Sequence, residues 1–189
     1  MGRTAGRTPQ DTRRLVLDAA AEVIRTHGVA ASLDVVAQHA GVSKGGLLYH
    51  FPSKDALVVA LAQEMNEAFR GAVRAHVDPA DAGPGRLTRA YVRASLAEVA
   101  EESEARERIA LTAQLITVPA VARLAQEDTA WWERELAGDG LPPEAQAVVV
   151  AAADGISGAP LWGATPDQER LDLLRTRLLA MIDEAVAEA

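Results

Sequence analysis

One stretch of the sequence, residues 32–54, limits the possible folds of this chain more than any other. Ser32 and Ser43 are suited to cap two short helices, because a serine hydroxyl accepts a hydrogen bond from a free backbone N–H. Gly41 ends the first helix, since glycine enters the left-handed conformation without a steric penalty. Pro52 ends the second helix, because the residue before a proline is pushed out of the helical region. A helix, a turn containing glycine and a second helix form the helix-turn-helix pattern.

The second helix, which begins at Lys44, has the composition of a DNA-reading helix. It contains Lys44, Tyr49 and His50 and no carboxylate. A helix that enters a DNA groove presents hydrogen-bond donors and avoids negative charge near the phosphates. Gly45 and Gly46 weaken the helix but remove side-chain bulk, so the backbone can approach a surface closely. This helix therefore favours DNA binding.

Two runs of sequence in this segment resemble the DNA-binding domain of the TetR family of bacterial regulators. They are Ala-Gly-Val-Ser-Lys-Gly at residues 40–45 and Leu-Tyr-His-Phe-Pro-Ser-Lys-Asp-Ala-Leu at residues 48–57. The resemblance covers about the first third of the chain in detail. Two positions depart from the family pattern. Leu48 stands where a second aromatic residue is common, and Gly46 stands where Thr, Ser or Ala is common. Base contacts are therefore not expected at those two positions.

The residues that the resemblance predicts to contact DNA also have a physical reason to do so. Lysine binds guanine edges or phosphates, and the free N–H groups at a helix start favour an anion. For the two serines, helix capping explains the residue type as well as DNA contact does. The predicted DNA-contacting residues are Ser32, Ser43, Lys44, Gly45, Tyr49, His50 and Lys54.

The charge distribution supports this prediction, although the net charge of −8 does not. Residues 1–54 contain seven basic and four acidic side chains, a balance of +3, which leaves −11 for the remainder. Such an asymmetry suggests that the N-terminal region binds a polyanion and that the acidic remainder keeps the protein soluble. On charge alone, a chance fluctuation is an equally good explanation. The prediction of DNA binding therefore depends on the helix-turn-helix motif.

Helical periodicity continues through the rest of the chain and predicts an all-α fold of about nine helices. A break at Asp-Pro-Ala-Asp-Ala-Gly-Pro, residues 78–84, indicates a domain boundary. We predict an N-terminal three-helix helix-turn-helix domain over residues 9–70, with the motif at about 32–51. A larger C-terminal helical domain over residues 80–189 follows, and the resemblance assigns ligand binding and dimerisation to it.

The resemblance also implies an apolar pocket for a small-molecule effector among the C-terminal helices. Its candidate residues are Tyr91, Gln114, Thr117, Trp131 and Trp132. Adjacent helical residues point about 100° apart, so both tryptophans cannot face one pocket equally. For each candidate, a place in the core or on the surface is an equally good explanation. The last two helices are expected to form a homodimer, with a monomer as the alternative.

These observations predict a ligand-responsive, DNA-binding repressor that releases its operator when a small molecule binds. The expected partners are a double-stranded DNA operator, an unknown small-molecule effector and a second copy of the chain. The sequence contains no nucleophile elbow, P-loop or histidine pair at metal-ligand spacing, so we expect no enzyme activity, cofactor or metal. It also contains no signal peptide or membrane-length apolar run, so a cytoplasmic location is expected. The alternative function is a helical adaptor that does not bind DNA.

Overall fold

The computed structural model of the chain describes residues 8–164 and 166–188, and all regular structure in these ranges is helical. This confirms the all-α prediction for the described part of the chain. Its nine α-helices are α1 (Pro9–His27), α2 (Leu33–His39), α3 (Lys44–His50), α4 (Lys54–Ala75), α5 (Arg86–Ala97), α6 (Glu102–Leu115), α7 (Pro119–Ala137), α8 (Pro143–Gly158) and α9 (Gln168–Ala187). A 3-10 helix, Ala159–Trp162, follows α8 directly.

The helices form two compact units, each with its own hydrophobic core. Among the described residues, the first unit contains those up to Met65 together with Ala110–Ala125, and the second contains Asn66–Ile109 and those from Gln126 onward. Residues 110–125 belong to the first unit because Leu111, Leu115 and Val121 are buried in its core. This grouping differs from the predicted domains, which assign residues 110–125 to the C-terminal domain.

Helix α1 begins at Pro9, directly after its N-cap residue Thr8. Thr8 forms a capping box with Asp11, in which the Thr8 hydroxyl accepts from the Asp11 N–H and the Asp11 carboxylate accepts from the Thr8 N–H. Pro9 occupies the first helical position, where its missing N–H costs nothing. Arg13 therefore lies beyond the first turn, where the helix dipole no longer disfavours a cation strongly.

The N-terminus of α5 is capped from a distant part of the chain. Gly85 precedes the helix with a φ of +80°, and its N–H donates to the carbonyl of Asp139 at 2.8 Å. The Asp139 carboxylate accepts from the backbone N–H groups of Leu87 at 2.9 Å and Thr88 at 2.7 Å. It also accepts from the hydroxyl of Thr88, a fully buried residue. Asp139 therefore satisfies helix-terminal donors that no local side chain caps.

Helix α8 is apolar on most sides and ends at Gly158. A proline at position 160 favours the change to a 3-10 helix, which Gly163 ends at a φ of +74°. Asp167 then caps α9 by accepting from the N–H of Arg170 at 2.8 Å.

Among the described residues, no single helix has the length and hydropathy needed to span a membrane. Helices α6 and α7 meet the criterion only when taken together, and they are bent by 116° at the break between them.

Candidate DNA-contacting face and ligand cavity

The predicted helix-turn-helix is formed by α2, α3 and a turn around Gly41. Gly41 has a φ of +65°, and its N–H donates to the carbonyl of Gln38. The N–H of Val42 donates to the carbonyl of Ala37 at 3.0 Å, which completes a Schellman motif. The expectation that Gly41 ends the first helix in a left-handed conformation is confirmed.

Helix α3 has one buried side and one side open to solvent. Leu47 is fully buried and Phe51, its C-cap, is almost so, which fixes the helix in the core of the first unit. Tyr49 is 81% exposed, and Leu48 is exposed as well. A Cβ at Gly45 would have no atom of the described residues within 4 Å outside the local backbone, so its surroundings in this part of the chain are open. The exposed side therefore carries an aromatic hydroxyl beside an unobstructed stretch of backbone.

Lys44, the first residue of α3, is held by a carboxylate from the preceding helix. Its Nζ lies 2.9 Å from Oδ2 of Asp34, and both side chains are more than half exposed. Exposed ion pairs contribute on the order of 0–1 kcal/mol to stability. Lys44 can therefore exchange the Asp34 carboxylate for another anion at little cost. The sequence analysis found no carboxylate within α3, but it missed that α2 places one against Lys44.

The remaining predicted DNA-contacting residues lie close to helix ends. The hydroxyls of Ser32 and Ser43 accept from the N–H groups of Val35 at 3.4 Å and Gly46 at 3.0 Å, as their capping roles require. His50 ends α3, and its ring makes an edge contact with Tyr49, with centroids 5.1 Å apart. Lys54 begins α4, which is capped by Ser53. These positions stay predictions as DNA contacts.

The second unit contains a cavity of about 480 Å³ between α4, α5, α7 and α8. Three aromatic rings from three different helices line one part of it: Phe69, Tyr91 and Trp132. Each pair of rings meets edge to face, with centroids between 4.9 and 5.6 Å apart. The volume is in the ordinary range for a small-molecule site, and the aromatic wall supplies apolar contact area.

Three carboxylates complete the lining of this cavity: Asp128, Glu133 and Asp154. Asp128 accepts a hydrogen bond from Arg70, whose guanidinium also lies 4.0 Å from the ring centroid of Trp131. Asp154 accepts from the hydroxyl of Tyr91 at 2.7 Å. The surrounding protein desolvates Asp154 and raises its pKa above the ordinary value, although its side chain stays open to the cavity. Burial and the neighbouring Asp154 carboxylate also raise the pKa of Tyr91.

The structure separates the five residues that were predicted to form an effector pocket. Tyr91 and Trp132 line the cavity, whereas Trp131 does not, because its adjacent position turns its ring towards Arg70. Gln114 and Thr117 belong to the first unit, where the Thr117 hydroxyl donates to the backbone carbonyl of Gln114. These two residues therefore do not line this cavity, since the end of α6 packs into the other core, and their role in effector binding stays a prediction.

Comparison with known families identifies the chain. A family model described as "Tetracyclin repressor-like, C-terminal domain" matches residues 85–183, which is more than half of the sequence. A second, described as "Bacterial regulatory proteins, tetR family", matches residues 16–61 and includes the helix-turn-helix. The chain belongs to the TetR family.

Individual relatives of this TetR-family chain agree with that assignment. It is 32% identical over 85 residues to the HTH-type transcriptional regulator RutR of Escherichia coli, an alignment that covers 44% of the chain and 39% of RutR. The chain thus spans about two fifths of the length of this curated relative. A TetR-family structure from Streptomyces coelicolor matches with a TM-score of 0.70 and 28% identity, covering 91% of this chain and 98% of that one. The multidrug binding protein EbrR complexed with malachite green matches with a TM-score of 0.71 and 27% identity, covering 90% and 97%.

Sequence reasoning missed several cavity residues of this TetR-family chain, and for Asp154 a signal was present. Asp154 is the only charged residue between Glu144 and Asp167, in a helix that is otherwise largely apolar. A single carboxylate in such a helix needs a partner or a polar space. Asp128 and Glu133 gave no comparable signal, because α7 contains several other charged residues.

Proposed function

We propose that this chain is a sequence-specific DNA-binding transcriptional repressor that releases its operator when a small molecule occupies the cavity of the second unit. The observation that carries the proposal is the open side of α3, which presents Tyr49 and the start of the helix at Lys44 to solvent. In helix-turn-helix proteins, the N-terminal part of the second helix contacts base edges. Family membership supports the same role.

The DNA contacts that we propose follow from the positions described above. Lys44 would leave Asp34 for a guanine edge or a phosphate, since a phosphate oxygen can replace the carboxylate at little cost. Tyr49 offers its ring to a thymine methyl group and its hydroxyl to a phosphate. Lys54 and the start of α4 offer an ammonium group together with free N–H groups. Ser32, Ser43, Gly45 and His50 complete the proposed contact set.

We also propose the division of roles between residues 9–70, which bind DNA, and residues 80–189, which bind the effector and dimerise. The two family matches, at 16–61 and 85–183, support this division. A DNA-binding regulator acts where the chromosome lies, so we propose a cytoplasmic location and a role in binding, not in catalysis.

A homodimer through α8 and α9 is part of the proposal. Large apolar side chains are exposed in this part of the second unit: Val148, Leu161, Trp162 and Leu173. A second copy of the chain would remove such side chains from water, and exposed apolar patches of this kind mark interaction sites. Helix-turn-helix proteins usually read two half-sites as a symmetric dimer, which favours this arrangement.

Regulation by a small molecule is supported by the cavity and by one relative. The cavity combines aromatic walls with a few polar groups, the usual composition of a small-molecule site. EbrR, which resembles this chain along nearly its whole length, has been crystallised with malachite green and with ethidium. A ligand changes the affinity for DNA only to the extent that it binds one conformation more tightly than the other.

The DNA-binding proposal is tested by selecting sites from a random duplex library with the full-length protein, followed by titration at several salt concentrations. Affinity for the selected site should fall as salt rises, because phosphate contacts release counterions. Lys44→Ala should weaken binding about tenfold, and Tyr49→Ala should have a similar effect.

Arg106→Ala serves as the matched control for loss of one positive charge. Arg106 is exposed in the second unit and pairs with Glu102, so its removal should leave operator affinity within about twofold of the parent. Each variant should keep the parent melting temperature. A library without an enriched site, or equal effects of all three substitutions, would contradict the proposed function and favour the adaptor role.

A further inference from the structure

The cavity of the second unit has an unbalanced negative charge. Its lining contains Asp128, Glu133 and Asp154, but no Lys, Arg or His is among the described residues that form it. Arg70 offsets Asp128. In the described part of the chain, no basic side chain lies within ion-pairing distance of Glu133 or Asp154. Two carboxylates therefore face the cavity without a cation.

Asp154 is prepared to bind a positive group. The Tyr91 hydroxyl donates to its Oδ1 and fixes the orientation of the carboxylate, while the second oxygen keeps its capacity to accept. The Asp154 side chain is exposed on the side of the cavity, and partial burial by the surrounding protein raises its pKa. A cation close to this carboxylate would favour its charged form.

The aromatic wall next to these carboxylates favours the same ligand charge. The faces of Phe69, Tyr91 and Trp132 carry negative electrostatic potential, and such rings attract cations within about 6 Å. Aromatic side chains in binding sites recognise ammonium groups through this attraction. An anionic ligand would be repelled by both the rings and the carboxylates, and a neutral ligand would leave the carboxylates without a partner.

We propose that the effector of this protein is an organic cation, an amine or quaternary ammonium on an apolar body, whose charge is recognised by Asp154 and Glu133. The apolar body lies against Phe69, Tyr91 and Trp132. This inference rests on the proposed ligand-responsive function and names the chemical class of its ligand.

The test compares ligands of similar shape and different charge on the full-length protein. The probes are methyltriphenylphosphonium, a permanent cation, triphenylphosphine oxide, which is neutral, and triphenylacetate, an anion. Binding is measured by calorimetry and by tryptophan fluorescence, since Trp132 lines the cavity. The cation should bind at least about tenfold more tightly than the neutral probe, and the anion should bind most weakly.

Three variants assign the charge recognition to the cavity. Asp154→Asn and Glu133→Gln should each weaken cation binding by about fivefold to tenfold and leave the affinity for the neutral probe unchanged. Glu135→Gln is the matched control, because it removes the same charge from an exposed position of α7 that does not line the cavity. If Asp154→Asn fails to fold, the inference is still tested by Glu133→Gln and by the affinities of the parent protein for the three probes.

Equal affinity for the cation and the neutral probe, preference for the anion, or no saturable binding of the cation would each overturn this inference. An equal loss of cation binding in Glu135→Gln would do the same, because it would show a general charge effect. Operator titrations on the same preparations separate the two proposals. Intact operator binding without cation preference refutes only the ligand class, and cation binding without operator binding refutes only the proposed function.

Discussion

Replacing Gly85 with alanine tests how tightly the second unit is packed where α5 begins. Gly85 has a φ of +80°, a conformation that costs a non-glycine residue about 1–2 kcal/mol. A Cβ at this position would also lie 2.6 Å from Cγ2 of Ile182 and 3.2 Å from Cδ2 of Leu141. Ile182 is completely buried, so its side chain has little room to move. Overpacking of this kind costs a further 1–3 kcal/mol, roughly.

Gly163→Ala is the matched control, because Gly163 has nearly the same φ, +74°, but none of the described residues other than its chain neighbours lies within 4 Å of the added Cβ. It should cost about 1–2 kcal/mol from the backbone alone. In Gly85→Ala, the backbone cost and the overpacking cost together lower the free energy of unfolding by about 2–5 kcal/mol. For a chain of this size, each 1 kcal/mol shifts the melting temperature by about 2–4 °C.

The assay is thermal unfolding followed by circular dichroism, at one protein concentration, because the proposed dimerisation would make the melting temperature depend on concentration. Gly85→Ala should melt roughly 4–20 °C below the parent, and clearly below Gly163→Ala. Equal melting temperatures for the two variants would refute the reasoning, since the clash with Ile182 would then cost nothing.

Three further substitutions probe other contacts of the second unit. Asp139→Ala should lower the free energy of unfolding in urea by about 2 kcal/mol or more, because it removes the cap of α5 and leaves the buried Thr88 hydroxyl without its acceptor; a loss below about 0.5 kcal/mol would contradict this role. Hydrogen bonds from Arg89 lower the pKa of Asp81 below 3.8, so this pair stabilises the folded state above that pH and loses its effect as pH falls through the lowered pKa. Asp81→Asn should therefore flatten the pH dependence of the urea midpoint below about pH 4, and parallel profiles for variant and parent would rule out this linkage. Leu173→Glu should halve the mass seen in sedimentation by placing a charge in the proposed dimer interface, and a variant that stays dimeric would argue for another interface.

The helix-turn-helix could be predicted from sequence because its signals are local. Ser32, Gly41 and Ser43 each act on backbone groups within five residues, so their effects depend little on the rest of the fold. Thr8 and Asp11 carry an equally local signal for the start of α1, because each caps a backbone N–H group of the other.

The cavity depends on contacts between distant parts of the chain, and only part of it could be predicted. Tyr91 was a reasonable candidate as a buried aromatic residue, but its partner Asp154 lies 63 positions away. Gln114 was chosen for its chemistry, yet its position depends on which core receives the end of α6. A single sequence contains no signal that decides this.

The path of the backbone limits how this regulator can be recombined with others. The chain passes between its two compact units three times, at residues 65–66, 109–110 and 125–126. Consider a chimera in which only the residues before the 78–84 break come from another regulator. The core of its DNA-binding unit would then combine foreign helices with Leu111, Leu115 and Val121 of this chain. A hybrid biosensor would therefore need the segment equivalent to residues 110–125 from the same regulator as its DNA-binding helices. The alternative is to redesign the three side chains so that they pack against the foreign helices.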